Sequence, residues 1–341
     1  MTNPKARGEL LEALRLSRGL TQVQLSNATE ISQATLSKLE SGHADVIADK
    51  WGQIADLLGV PTNAFYDIKH SVAPARIFHR KRKTTPQNAV RKVGADLALA
   101  RLRVNDLLGQ RHTTLRRHDL DGGFNTPQEL ALLVRDELGA GREPIGNVVT
   151  LLESAGAVVL RWPLDEIQVD AVASWEEDAA PVILVGEHVP ADRQRFTMAH
   201  ELGHAVMHDA DATEDQEREA DAFASEFLLP GECLRPEWPA AATIESLIPL
   251  KRRWGLSLSA LIRRALDLSL ISEREYRAWS INLSTKGMHR REPEPTEREN
   301  PAALSAAIRA ALDSGISLDE LASRAYMYPQ EFELTFLEET A

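Results

Sequence analysis

Two histidines and a glutamate in RFTMAHELGHAVMHD, residues 195–209, are the side chains best placed to do chemistry. His200 and His204 are four positions apart, so on a helix they share one face and can bind one metal ion. Glu201 is rotated by about 100° from His200 and can take a proton from an attacking water. A metal ion lowers the pKa of a water that it binds, so the trio predicts metal-dependent hydrolysis. The alternative is three polar residues on an ordinary helix.

A catalytic metal site needs a third protein ligand, and DQEREADAFASEFLLP offers several carboxylates close by. Glu217 is favoured, because Asp221 lies four residues later and can accept the other ring N–H of a ligand histidine. Glu219 points to a different face of the same helix and is the competing ligand. His208 continues the histidine face, either as a supporting donor or as a structural residue.

Composition limits where the protein works and what can hold the metal. The 341 residues, 43% hydrophobic and 26% charged, predict a globular protein of two or three domains. The single Cys233 excludes an internal disulfide and a cysteine cluster, so histidines and carboxylates must bind Zn²⁺, with Mn²⁺ as the alternative. No apolar leader and no apolar run near 18 residues is present, so we expect a cytoplasmic protein without a membrane partner. The net charge of -12 argues only weakly against nucleic-acid binding.

Residues 1–70 predict an all-α bundle with two short helices joined by a tight turn. Apolar residues recur at helical spacing, and Thr21 and Ser32 are placed as N-caps. Gln22 could contact a phosphate, and the start of the next helix presents short polar groups suited to base edges in a major groove. Those base-reading candidates are Gln33, Ala34, Ser37 and Lys38. An ordinary helical hairpin has the same periodicity.

Residues 71–120 read as a basic linker followed by a connecting helix. The segment PARIFHRKRKTTPQNAVRK contains no acidic residue, so it either neutralises phosphates beside the bundle or is a solvated linker. Residues 121–240 are mixed: two helices precede the strand candidates AVVLRW, QVDAVASW and PVILVG, and the helix with the metal motif follows from about Ala191. An α+β fold is therefore expected.

Residues 241–341 predict a helical C-terminal region. Arg252, Arg253, Arg263 and Arg264 are expected to be exposed between apolar positions. The stretch HRREPEPTEREN reads as a charged linker. The last segment contains SLDELASRAYMYPQEF, which favours a small packing or dimerisation module over a second DNA-binding unit, since its second helix has no basic residues.

Two parts of the chain resemble known families, and the first covers roughly the N-terminal 70 residues. LTQVQLSNATEISQATLSKLESG followed by WGQIADLLGVPTNAFYD resembles the Xre/Cro/CI helix-turn-helix family. That resemblance implies a lambda-repressor-like domain that binds a double-stranded DNA operator, with a homodimer on a two-fold site. Glu30 departs from the family, which usually has a turn glycine there. A positive φ at this residue would cost roughly 1 kcal/mol.

The second resemblance covers about 120 residues, from TPQELALLVRDELG to FLLP, and is to the ImmA/IrrE metallopeptidase family. It implies a zincin-like fold, with His200, His204 and Glu217 as metal ligands and Glu201 as the general base. Gly186 departs from many relatives, which have asparagine after the last strand.

Two functions of different classes follow from these patterns. In the first, the DNA-binding domain brings a metallopeptidase to an operator, where it cleaves an Xre-type repressor, an antitoxin or itself in a stress, phage or mobile-element response. The resemblance favours this function, because relatives cleave Xre-type repressors in such responses. Self-cleavage near residues 71–95 is one form of this hypothesis. In the second, the chain is a transcription factor whose metal domain senses a metal, a peptide or damage without cutting.

Overall fold

The computed structural model describes residues 3–72, 86–109, 113–118, 120, 126–164, 169–175, 180–208, 213–288 and 292–337. Over these residues the chain combines many helices with one three-stranded sheet, which confirms the expected α+β class. A helical bundle comes first, and the sheet lies between two layers of helices. None of the described helices has the length and apolar character needed to cross a bilayer.

The N-terminal bundle packs five helices around a single apolar core. As predicted, Thr21 and Ser32 cap their helices by accepting bonds from the amides of Gln24 and Thr35. Glu30 has the positive φ expected at the turn, 55°. The helices are α1 (Pro4–Ser17), α2 (Gln22–Thr29), α3 (Gln33–Glu40), α4 (Ala48–Leu58) and α5 (Ala64–Asp67).

Helix α6 (Gln87–Leu108) connects the bundle to the sheet. Ala98, Leu99 and Leu102 pack into the bundle core, whereas Leu97 and Val104 pack against the sheet side. The predicted connecting helix is therefore buried on two faces. Most of the basic segment before it, residues 73–85, lies outside the described residues.

The sheet contains β1 (Val158–Trp162), β3 (Val182–Gly186) and β2 (Ala171–Ser174), in that spatial order. β1 runs parallel to β3, and β2 runs antiparallel to it at the edge. Alternate side chains face opposite cores: Val159, Ala173 and Ile183 enter one core, whereas Leu160 and Leu184 enter the other. Burial on both faces explains why these strands are continuous apolar runs.

One face of the sheet carries the helices with the metal motif. They are α7 (Pro127–Glu137), α8 (Val148–Ser154), α9 (Ala191–Met207) and α10 (Glu214–Leu228). Four further helices share the same core: α11 (Gly231–Glu237), α12 (Ile244–Trp254), α13 (Leu258–Asp267) and α14 (Glu273–Thr285). The domain boundary that we expected at residue 240 therefore does not separate two hydrophobic cores.

The opposite face of the sheet is covered by α6 and by a C-terminal module of three helices. These are α15 (Ala303–Asp313), α16 (Leu318–Arg324) and α17 (Pro329–Phe336). The module packs through Leu304, Ile308, Leu321 and Phe332 against sheet residues that include Leu184. The region 241–341 thus divides between two cores on opposite faces of one sheet.

The expected charged linker is instead a strap, residues 292–300, that docks on the helices of the metal face. Glu299 is buried, accepts bonds from the amides of Val148 and Val149 at 2.8 and 3.1 Å, and pairs with Arg195 at 2.8 Å. Its carboxylate thus caps α8 and neutralises a buried guanidinium. The expectation of a linker was wrong, because polarity along the chain does not show which charges are paired.

Arg264 also differs from expectation. It is buried, forms an ion pair with Glu226 and donates its Nε–H to the carbonyl of Leu229 at 3.0 Å. Arg252, Arg253 and Arg263 have the exposed side chains that we expected. Helical spacing places an arginine on a face, but its burial depends on the carboxylate supplied by another helix.

Replacing the strap carboxylate tests its structural role. Glu299→Ala leaves Arg195 buried without its carboxylate, so we expect the free energy of unfolding to fall by about 3–5 kcal/mol. Urea unfolding followed by tryptophan fluorescence would measure the change. Glu297→Ala removes an exposed carboxylate of the same strap and should stay within about 0.5 kcal/mol of wild type. Equal losses of stability in both variants would contradict a specific role for Glu299.

Candidate metal centre

The site is formed where α9 and α10 pack closely together. α9 begins after Pro190, and α10 begins with a capping box between Thr213 and Gln216. Their close approach depends on Gly203, because a Cβ there would lie 3.0 Å from Cδ1 of Phe223. This contact brings the polar face of α10 against the histidine face of α9.

His200, His204 and Glu217 converge at this contact. The Nε2 atoms of the two histidines lie 3.1 Å apart; Glu217 Oε2 lies 3.7 Å from His200 Nε2, and Glu217 Oε1 lies 3.4 Å from His204 Nε2. A tetrahedral ion bound at about 2.0–2.1 Å separates its ligand atoms by about 3.3–3.4 Å. Two nitrogens and one oxygen at this spacing fit a zinc or manganese ion and leave one corner of the tetrahedron open.

The hydrogen-bond partners of His200 and His204 determine which ring nitrogen of each histidine faces the centre. His200 Nδ1 lies 2.9 Å from Asp221 Oδ1, so it donates to that carboxylate and its Nε2 carries the lone pair. His204 Nδ1 lies 2.9 Å from His208 Nδ1, and His208 Nε2 lies 3.0 Å from Glu219 Oε2. A proton on His208 Nε2 makes its Nδ1 an acceptor for His204. The lone pairs on Nε2 of His200 and of His204 then both point into the centre. A cation bound by both nitrogens would stabilise this arrangement.

This geometry distinguishes between Glu217 and Glu219, the two candidates for the third metal ligand. Glu217 lies at the centre, whereas Glu219 turns towards His208, which is itself buried. Burial would raise the pKa of Glu217, but the neighbouring His204 and His200 outweigh that effect and lower it. Burial lowers the pKa of His204, and the neutral ring that this favours is the form that binds metal.

Glu201 lies beside the centre in a different environment. It is buried, and its Oε2 has no hydrogen-bond partner among the described residues. Burial, followed by the charge of Glu217, raises the pKa of Glu201 well above its ordinary value, and the amide of Ala173 only partly opposes this. This oxygen is therefore available to accept a hydrogen bond from a polar group in the site.

Three residues near Glu201 were not singled out from the sequence. The charge of Asp170 adds to the raised pKa of Glu201, and Asp170 pairs with Arg193 at 2.6 Å and lies 3.8 Å from His188. His188 also packs against Gly186: a Cβ there would lie 2.6 Å from its ring, so a larger residue at 186 would require the ring to move. The three are spread along the chain without regular spacing, so no sequence signal marks them.

The expected DNA-contacting residues lie on the N-terminal bundle. Gln33, Ala34, Ser37 and Lys38 are all on α3, and the structure leaves their side chains outside the bundle core. Gln22 is half-buried and donates its amide to Glu40 Oε2 at 2.7 Å, a contact that the sequence did not indicate. Glu40 also accepts two hydrogen bonds from Arg15, at 2.5 and 3.0 Å. Gln22 therefore belongs to a hydrogen-bond network that joins α1, α2 and α3.

A helix-turn-helix bundle joined to a peptidase-like site defines the class of protein: a DNA-binding regulator with a peptidase-family domain. Comparison with family models agrees. Residues 152–266 match the peptidase M78 model, described as the IrrE N-terminal-like domain, and residues 11–65 match a helix-turn-helix model. Both resemblances drawn from the motifs are confirmed. No curated protein matched the chain.

Proposed function

We propose that the chain is a metal-dependent endopeptidase that binds an operator as a homodimer and cleaves an Xre-type repressor, an antitoxin or itself in a stress, phage or mobile-element response. The observation that carries the proposal is the convergence of His200, His204 and Glu217, together with the buried carboxylate of Glu201 on which the charge of Glu217 acts. Three metal-ligating atoms at tetrahedral spacing, with a buried carboxylate next to them, are what hydrolysis of a peptide bond needs.

Each residue has a distinct role in this proposal. His200, His204 and Glu217 hold Zn²⁺, or Mn²⁺, and Asp221 fixes the ring of His200. The bound ion would acidify water and polarise the scissile carbonyl. Glu201 takes the proton of the attacking water on its carboxylate, and its raised pKa suits it to pass that proton to the leaving amine nitrogen.

The edge strand provides a place for an extended substrate. β2 is the last strand of the sheet, and no other strand pairs with its outer edge within the described residues. The amide of Ala173 in this strand bonds to Glu201, so the edge runs past the proposed base. An extended peptide that adds to the edge would gain main-chain hydrogen bonds and bring its backbone to Glu201.

Intact-mass spectrometry tests the proposal directly. The zinc- or manganese-loaded chain would be incubated alone and with Xre-type repressors and antitoxins encoded beside it. A new pair of fragments whose masses sum to one of these proteins plus water is expected. In self-cleavage the fragments would meet within residues 71–95, a segment of which 73–85 lie outside the described residues. Unchanged masses under every metal and stress condition would contradict cleavage and favour the sensor function.

DNA binding gives a separate prediction. Replacing Gln33 and Ser37 by alanine removes polar groups from the outer face of α3 but leaves its buried face intact. We expect specific operator affinity to fall by about 1–3 kcal/mol for each hydrogen bond to a base that is removed, with little change in non-specific binding. Binding titrations at several salt concentrations would measure both, and affinity should fall as salt rises. An equal fall in affinity for specific and non-specific DNA would show that α3 does not read bases.

A further inference from the structure

A cavity of about 740 Å³ lies where three parts of the chain meet, away from the metal centre. Its walls come from α1 of the bundle, from α6 and β1, and from the C-terminal module with the end of the strap. We call it the junction cavity. Its volume is in the range of pockets that enclose small organic ligands.

The charge of this cavity is opposite to that of the chain. Four arginines line it, and among the described lining residues only Glu187 and Glu331 are acidic. The chain as a whole has a net charge of -12. One of the two carboxylates, that of Glu331, forms an ion pair with Arg18 at 3.0 Å. A locally positive cavity attracts anions even on a negative protein.

Arg103 is the buried residue among the four arginines that line the cavity. Its Nε donates to the carbonyl of Ala325 at 3.1 Å. The charges of Glu331 and Asp96 reach Arg103 and favour its charged form, but they do not outweigh the effect of burial on its pKa. Burial lowers the pKa of Arg103 to about 10, so it remains charged at neutral pH. A buried guanidinium that forms no direct ion pair among the described residues is unfavourable, and a bound oxyanion would lower that cost.

Arg161 and Arg309 add to the positive charge of the junction cavity. Arg161 donates to Asn300 Oδ1 at 2.7 Å, and Arg309 donates to the carbonyl of Leu337 at 3.4 Å. Both hydrogen-bond partners are neutral, and the charge of Glu187 offsets part of that of Arg161, so Arg309 keeps the more available guanidinium charge. The remaining wall is largely apolar and includes Leu160, Met327 and Phe336.

We propose that the junction cavity is an effector site for a small amphipathic organic anion. Arg103 holds its carboxylate or phosphate group, with Arg309 at the rim, and the apolar wall takes its hydrocarbon part. The cavity contacts both α1 of the DNA-binding bundle and the C-terminal module, so a ligand there bridges the two. A ligand that binds the DNA-bound and the free chain with different affinity would change operator affinity, and the operator would change ligand affinity by the same factor.

The test uses the full chain and three probes with the same eight-carbon alkyl chain: nonanoate, octyl phosphate and octan-1-ol. Calorimetric titration should show binding of at least one anion, about tenfold or more tighter than the neutral alcohol. The preferred anion distinguishes a carboxylate from a phosphate ligand. The proposal is overturned if neither anion binds at millimolar concentration, or if the alcohol binds equally well.

Two variants locate the site. Arg103→Gln should abolish the preference for anions. Arg309→Glu changes only an exposed residue at the rim, so folding should be retained, and we expect anion affinity to fall about tenfold with no change for the alcohol. The matched control is Arg277→Glu on α14, an equally exposed charge reversal outside the cavity. Similar anion binding in wild type and Arg309→Glu would contradict the assignment, as would an equal fall in affinity in the control.

Hydrogen exchange tests the bridging position. The bound anion should slow exchange in both α1 and the C-terminal module. Protection on only one side would contradict a ligand that bridges the two. None of these measurements requires metal or cleavage, so their outcome is independent of the peptidase proposal.

Discussion

Glu201→Gln is expected to lower the rate of substrate cleavage by about 10²–10⁴-fold while leaving metal binding intact. The amide keeps the size of the side chain but cannot take a proton from water. Because Glu201 is not among the three converging ligand atoms, its replacement removes no proposed ligand. Initial rates from fragment masses and metal content by elemental mass spectrometry would be measured on the same samples.

The control for this variant is Glu214→Gln, the same chemical change at an exposed position in the first turn of α10. Its cleavage rate and metal content should equal those of wild type. Persistent cleavage at the wild-type rate in Glu201→Gln would rule out the proposed base. Loss of metal in that variant would instead place Glu201 among the ligands.

Glu217→Ala and Glu219→Ala are expected to separate a ligand from a supporting residue. The two positions lie on the same helix, two residues apart, but only Glu217 reaches the histidine Nε2 atoms at the centre. We expect wild type to hold one ion per chain and Glu217→Ala to lose it on dialysis. Glu219→Ala should retain the ion with affinity lowered about 10–100-fold, because His208 then loses the partner that orients it towards His204.

Elemental mass spectrometry after dialysis gives the stoichiometry, and circular dichroism checks that both variants keep their helices. The reverse pattern, with metal lost only in Glu219→Ala, would exchange the roles of the two glutamates. A wild-type chain that binds neither zinc nor manganese would exclude a metal centre and favour the transcription-factor function without cleavage.

Local patterns in the sequence determined most of the elements that carry the site. Four-residue spacing places His200 and His204 on one face of a helix whatever packs against it. The caps Thr21 and Ser32 and the positive φ at Glu30 are also local, since each depends on a few adjacent residues. The same locality allowed both family resemblances and the α+β class to be recognised before the fold was known.

Only the tertiary structure decided which polar residues meet. The sequence favoured Glu217 over Glu219 but left both as candidates, and which of them reaches the histidines depends on how α10 packs against α9 at Gly203 and Phe223. Glu299 caps a helix about 150 residues away, and the charge of Arg103 matters because three distant segments enclose it. Pairing and burial of charges depend on contacts between segments far apart in the chain, and local periodicity carries no information about those contacts.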